Sequence, residues 1–181
     1  IRAFLLHTDR QVEDIENIRH RLAEYVKKYS VYDEIVLLDT QGRVKANLDI
    51  DSSIEFSEDP LISKTLASTD DYTETFRYSD LQPHKRNSLI YSCVIKESNE
   101  KDAKALGVLC LCFKFDDEMQ SIFSNLQSER AASSIMILSE SREVMATSHS
   151  QKFKVGEKIP NSGSPDLITI KNKSYISTTS E

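Results

Sequence analysis

Ile35-Val-Leu-Leu-Asp-Thr-Gln-Gly-Arg-Val-Lys-Ala-Asn47 reads as two strands joined by a tight turn. Residues 35–38 are a continuous apolar run, the pattern of a strand buried on both faces. Asp39-Thr-Gln-Gly42 is the turn, with Gly42 supplying a positive φ, and residues 43–47 are the returning strand. One hundred positions later stands Ile135-Met-Ile-Leu-Ser-Glu-Ser-Arg-Glu-Val-Met-Ala-Thr147. Ile35, Leu38, Val44 and Ala46 meet identical residues at that offset, and Val36/Met136 and Leu37/Ile137 are conservative pairs. An apolar strand, a four-residue turn and a strand ending in Val-x-Ala therefore occur twice, as in a duplicated unit.

Upstream of the first hairpin, residues 1–29 read as one long helix. Ile1, Leu5, Thr8, Val12, Ile15, Arg19, Leu22, Val26 and Tyr29 recur by threes and fours. Arg19 is the fault in that seam, and neighbouring Ile18 can take over its side. At 1.5 Å per residue such a helix extends roughly 40 Å, more than a small domain needs for its own core. Two readings follow: a coiled-coil or dimer contact along part of the helix, or an amphipathic helix packed on its own sheet.

Downstream, residues 57–68 read as a short helix, with Ser57 as N-cap, Pro60 in the first turn and Leu61, Ile62 and Leu66 as its apolar stripe. Residues 72–78, 88–96 and 106–115 read as strands. A polar loop at 79–87 and a highly polar turn at 97–104 separate them. Residues 116–126 read as a helix, with Asp116 as cap and Met119, Ile122, Phe123 and Leu126 on one face. The order predicts an α+β fold: a long N-terminal helix on an antiparallel five-stranded sheet, then a second, smaller or truncated unit that begins with the same hairpin. The first helix covers one sheet face. The segment around 54–68 covers the other, and a long connection over an apolar sheet face is a place for a small-ligand pocket. In the second unit only the hairpin, a Gly156-Glu-Lys-Ile-Pro160 loop and a strand pair near 167–170 and 174–178 follow, so that unit reads as incomplete.

Composition bounds the function. The 181 residues are 39% hydrophobic and 29% charged with a net charge of −6, as for an ordered globular chain without a nucleic-acid footprint. No apolar run is long enough to span a bilayer, and the charged first 30 residues do not read as a signal peptide. Cys110 and Cys112 project from one face of a strand, about 6.5–7 Å apart along it, at or beyond disulfide reach. Together with Cys93 they read as small buried hydrophobes, and free thiols tilt the expectation toward a cytoplasmic compartment, with an extracytoplasmic receptor domain as the alternative.

The succession of a long helix, Ile-Val-Leu-Leu-Asp-Thr-Gln-Gly-Arg-Val, Leu-Ile-Tyr-Ser-Cys-Val-Ile and Leu-Gly-Val-Leu-Cys-Leu-Cys-Phe resembles the extended-PAS (Cache) sensor domains, and the second hairpin resembles the double-Cache arrangement. The resemblance covers nearly the whole chain and is loose in exact residues. It implies the small-molecule sensing input of a bacterial, chemotaxis-type signalling protein, with the ligand in the first unit, a homodimer through the N-terminal helix and a C-terminal output domain. The alternative is a dimerisation or interaction module without a ligand. The amino-acid-binding subset of that family carries an Arg followed shortly by Trp on the pocket helix. This chain has no Trp, and its 57–68 segment has no Arg, which puts a standard amino-acid ligand in doubt.

On that basis residues 1–30 are the N-terminal helix, 31–128 the ligand-binding unit and 129–181 the second unit. The candidate ligand residues are Arg77, Tyr78, Asp80, Arg86 and Tyr91, with His84 in the same loop. A small acid asks for a guanidinium fork, which Arg77 or Arg86 offers, while Tyr78 and Tyr91 offer a ring wall with a hydroxyl. No catalytic group, cofactor or metal is expected. His7, His20, His84 and His149 are scattered, and no nucleophile elbow, P-loop or dinucleotide fingerprint occurs. Asp116-Asp-Glu118 reads as an acidic helix start.

Overall fold

A computed structural model of the chain describes residues 1–6, 12–49, 54–82, 87–100, 102–127, 135–160, 166–170 and 173–177. It divides into two compact units, Ile1–Ser121 and Ile122–Glu181, with the division inside a helix.

The first unit holds α1 (Arg2–Leu6), α2 (Val12–Lys28), β1 (Tyr32–Asp39), β2 (Val44–Asn47), α3 (Pro60–Ala67), β3 (Thr73–Tyr78), β4 (Asn87–Lys96) and β5 (Ala105–Phe113). The strands form one antiparallel sheet in the order β2-β1-β5-β4-β3. β1 is apolar throughout because it lies between two layers. Ile35 and Leu37 point to the side of α1 and α2, where they meet Phe4, Ile18 and Leu22. Val36 and Leu38 point to the side of α3, with Leu61, Ile62, Ile90, Val108, Cys110 and Cys112. Both pairs are essentially inaccessible, as successive side chains of a central strand must be when each face is covered.

Helix is described at 2–6 and 12–28; residues 7–11, which the continuous helix expected over 1–29 includes, lie outside the described residues. Part of the seam packs inward. Leu5, Ile15, Leu22 and Val26 lie on the sheet with Ile18, which takes the side where Arg19 interrupts the pattern. Arg19 instead donates from Nη2 to Asn47 Oδ1 at 3.2 Å. Ile1 and Tyr29, at the two ends of the seam, are exposed, and Tyr29, just past α2, has its ring centroid 4.7 Å from that of Tyr25, which is exposed on α2.

Gly107 sits where β5 crosses β1. A Cβ there would come within 2.1 Å of the Leu38 carbonyl oxygen, so only hydrogen fits between the strands. α3 starts one residue past the expected stretch of caps: Asp59, not Ser57, is the N-cap, because its carboxylate accepts from Leu61 N–H and Pro60 follows with no N–H of its own to satisfy.

α4 (Phe115–Gln127) begins one residue before the expected cap, so Asp116, Asp117 and Glu118 occupy its first turn, where the helix dipole favours acids.

The second unit carries β6 (Met136–Leu138) and β7 (Val144–Thr147), then β8 (Asp166–Ile170) and β9 (Lys173–Ser177), as two antiparallel hairpins. The first of these repeats the β1–β2 hairpin bond for bond. Leu37 pairs with Ala46 and Leu38 with Val44, across a bulge; Ile137 pairs with Ala146 and Leu138 with Val144, across the same bulge. Asp39 N–H donates to Arg43 O and Gly42 N–H to Asp39 O; Ser139 N–H donates to Glu143 O and Arg142 N–H to Ser139 O. Val44 N–H reaches Glu55 O, and Val144 N–H reaches Glu157 O. The repeat seen in sequence is a repeat of backbone geometry.

Candidate functional site

α3 lies on the sheet with its N-terminus over the end of β3, and polar side chains gather there. Asp59 is buried, and its carboxylate has three donors. Leu61 N–H reaches Oδ1 at 2.8 Å, the Arg77 guanidinium also donates to Oδ1, and the Ser79 hydroxyl donates to Oδ2. Arg77 Nη1 donates to Tyr78 O at 3.0 Å. Ser57 links the cluster to the rim: its hydroxyl donates to Asp80 Oδ1 at 2.7 Å and accepts from Asp59 N–H at 3.2 Å. Ser79 Oγ accepts from Leu81 N–H at 3.2 Å, which shapes the turn after β3.

A second polar group lies under the middle of α3. The hydroxyls of Thr65, Thr73 and Ser92 are mutually bonded at 2.5, 2.6 and 2.8 Å, all buried, and Thr65 Oγ1 also donates to Leu61 O at 2.7 Å. Three hydroxyls from α3, β3 and β4 thus meet where an apolar core would otherwise be continuous. Such groups are costly to bury unless mutually satisfied, and here the three hydroxyls satisfy one another.

A third group stands at the start of β1. Glu34 is buried and accepts from Ile35, Leu48 and Asp49 N–H at 2.8, 2.6 and 3.0 Å. Burial raises its pKa, and the three amides offset this only in part. Beside it, Gln82 Nε2 donates to Asp33 Oδ2 at 3.4 Å.

The sheet separates the residues expected to form one pocket. Arg77 pairs with Ser88 and shares the α3 face with Thr73, while Asp80 is exposed at the rim of the same side. Tyr91 lies between Ile90 and Ser92, whose side chains face α3, so its ring points to the opposite face and packs edge-on against Tyr72 with centroids 5.7 Å apart. Burial, then Glu74 and Tyr72, raise the Tyr91 pKa. Tyr78, one step along from Arg77, is exposed on that other face. Arg86 and His84 lie outside the described residues. Nor does Arg77 present an unengaged fork, since Asp59 holds it. Sequence reading passed over Asp59, Ser79, Thr65, Ser92 and Gln82. Only Asp59 carried a local signal, the Asp-Pro step of a capped helix start.

Cys110 and Cys112 are fully buried on the α3 face, where burial pushes both thiols well up, and Cys93 is half-buried. Among the described residues no group of three or more His, Cys, Asp and Glu is placed to hold a metal ion, and no helix is long and apolar enough to cross a membrane.

No protein-family model matches the sequence, and no curated protein does. Solved structures do match in fold. The sensor domain of the V. cholerae histidine kinase DctB is similar at 16% identity and a TM-score of 0.59, over 78% of this chain and 51% of that one. The ligand-binding domain of the Pseudomonas aeruginosa PAO1 amino acid chemoreceptor PctC, in complex with GABA, is similar at 15% identity and a TM-score of 0.56, over 95% of this chain and 75% of that one. The periplasmic domain of RsbU from Chlamydia trachomatis is similar at 16% identity and a TM-score of 0.53, over 83% and 51%. This chain therefore spans about half the length of the DctB and RsbU domains. The chain thus shares its fold with a histidine kinase sensor domain, a chemoreceptor ligand-binding domain and the periplasmic domain of RsbU.

Proposed function

We propose that this chain is the small-molecule sensing input module of a bacterial signal-transduction protein of chemotaxis type, binding its ligand between α3, its flanking loops and the sheet, without catalysing a reaction. The observation that carries this reading is the convergence of Asp59, Arg77, Ser79 and the Thr65–Thr73–Ser92 hydroxyls beneath α3. A purely structural sheet–helix contact would be apolar there; polar groups able to exchange partners are what a ligand needs to compete for. The fold neighbours support it, since one of them is an amino acid chemoreceptor domain in complex with GABA.

In this reading residues 1–30 are the helical N-terminal segment, 31–128 the sensing unit and 129–181 a second unit of the same ancestry. A C-terminal output domain receives the signal. A homodimer contact would use the outward face of α2, where Tyr25 and, just past the helix end, Tyr29 are exposed beside a shallow groove along His20, Ala23, Glu24, Lys27 and Lys28. The compartment is extracytoplasmic rather than cytoplasmic. Cys110 and Cys112 are sealed from solvent, so their free thiols place no demand on a reducing environment, and RsbU supplies a periplasmic parallel.

The test is a thermal-shift screen of the domain against small carboxylates, amines and purines. A ligand that binds only the folded state adds about 2.7 kcal/mol at a hundredfold excess over Kd. A rise in Tm that is lost in Thr73→Val and Ser92→Ala supports the site beneath α3. No shift with any compound moves the reading to a ligand-free dimerisation or interaction module.

A further inference from the structure

The β6–β7 hairpin copies β1–β2 in register, bulge and turn bonds, yet the two differ on one side. β1 is paired along both edges, with β2 on one and β5 on the other. Among the described residues β6 is paired with β7 alone. Ser139 N–H donates to Glu143 O and Ser148 N–H to Ile135 O, so the odd-numbered residues of this stretch bond toward β7. An antiparallel ladder alternates, and the N–H and C=O groups of Met136 and Leu138 therefore face away from β7. Their counterparts in the first unit are Val36 and Leu38, which stand opposite Cys110 and Val108 of β5.

Burial marks the same side. Val36, Leu37 and Leu38 are 3%, 0% and 0% exposed, whereas Met136, Ile137 and Leu138 are all half-buried. The copied hairpin is not loose throughout, since Val144 and Ala146 of β7 are buried. The exposure belongs to the strand that lacks its second neighbour. An apolar strand with an open edge is a template for another strand.

The first sheet shows which strand fits. There the hairpin β1–β2 is followed by the pair β3–β4, and the next strand, β5, enters between β1 and β4. In the second unit β6–β7 is followed by the pair β8–β9, which forms a sheet of its own. By the same order, the strand that joins β6 to β9 is the one after β9.

We propose that the outer edge of β6, at Met136 and Leu138, takes an antiparallel strand from the part of this protein that follows β9, placed between β6 and β9 as β5 lies between β1 and β4. This rests on the reading of residues 129–181 as a second unit of the same ancestry, and not on the ligand site. Because the proposed output domain is C-terminal, the strand is also the link through which the second unit reaches it.

Amide exchange of the full-length protein, read beside that of the 181-residue chain, tests it. The Ile137 amide bonds toward β7 and serves as internal reference. In the 181-residue chain Met136 and Leu138 should exchange at least about tenfold faster than Ile137, and in the full-length protein all three should be slow. Met136→Pro removes an outward N–H, which an open edge tolerates and a central strand does not. It should leave exchange at Val144 unchanged in the 181-residue chain and speed it in the full-length protein, whereas Ile137→Pro should speed it in both. Fast exchange at Met136 and Leu138 in the full-length protein overturns the proposal and leaves the sensor reading untouched. Slow exchange there in the 181-residue chain also overturns it, and a doubled molar mass in light scattering then identifies a second copy as the occupant of the edge.

Discussion

The carboxylate of Asp59 caps α3 and holds the guanidinium of Arg77, so one buried side chain fastens the helix to the end of β3. The two partners differ in exposure: the Asp59 side chain is 2% accessible and that of Arg77 38%. Asp59→Ala removes the cap and strands both Arg77 and Ser79, a loss of about 3 kcal/mol. Arg77→Ala leaves Asp59 with Leu61 N–H and the Ser79 hydroxyl, and solvent screens the pair, so about 1 kcal/mol is expected. Urea unfolding of both variants measures the difference. Equal losses would show that the cap contributes nothing beyond the ion pair.

Gly42 has φ +87°, and a Cβ there would lie 2.3 Å from the Ser57 carbonyl oxygen. Gly42→Ala meets both the left-handed backbone penalty and that clash, and should cost about 2 kcal/mol or more. The matching position of the second hairpin is Arg142 at φ 65°, whose Nε donates to Ile159 O at 3.1 Å. That bond helps to hold Arg142 in a region that side chains disfavour, so Arg142→Ala should destabilise the second hairpin, seen as faster amide exchange at Val144.

Leu22 is buried on the sheet and Tyr25 is exposed on the same helix. Leu22→Ala should cost about 2–4 kcal/mol in urea unfolding, whereas Tyr25→Ser should cost under about 1 kcal/mol. If α2 pairs with a second copy, Tyr25→Ser lowers the molar mass in light scattering without that stability loss. If the dimer does not form through this face, the mass is unchanged.

Glu34 and Asp39 give opposite slopes of stability with pH. Burial raises the Glu34 pKa above its ordinary 4.5 despite three amide donors. A carboxyl with a raised folded pKa stabilises the fold below the unfolded value, and that contribution disappears as pH rises through the folded value. Burial also pushes Asp39 up, but Lys45 at 2.7 Å and the Arg43 and Gln41 amides outweigh it and leave the pKa below 3.8. Its contribution is therefore present above 3.8 and lost as pH falls through the depressed value. In melting curves across pH, Glu34→Gln should flatten the profile above 4.5 and Asp39→Asn should flatten it below 3.8. A profile unchanged by Glu34→Gln would place that carboxylate in contact with water.

Much of the fold could be read from local pattern. The β1–β2 hairpin announced itself by an apolar run, an Asp-x-x-Gly turn and a Val-x-Ala return, and its copy at residues 135–147 has the same bulge and the same turn bonds. α3 was visible from Pro60 and its apolar stripe; its cap shifted from Ser57 to Asp59 because both residue types cap helices and only the chain's path selects between them. The site was less legible. Arg77 and Tyr91 both offer polar groups that suit a ligand, yet strand register places them on opposite faces of the sheet.

The sequence by itself determined the α+β class, the five-strand order of elements, the repeated hairpin and the burial of Cys110 and Cys112, because these follow from periodicity and turn chemistry acting over a few residues. It left two readings of the N-terminal helix open. The tertiary structure decided that Leu5, Ile15, Leu22 and Val26 of the seam pack on the sheet, that Asp59 occupies Arg77, and that Thr65, Thr73 and Ser92 share hydrogen bonds. Each of these joins residues from different elements, and a side chain's partner across such a distance depends on which face and which register the whole sheet gives it.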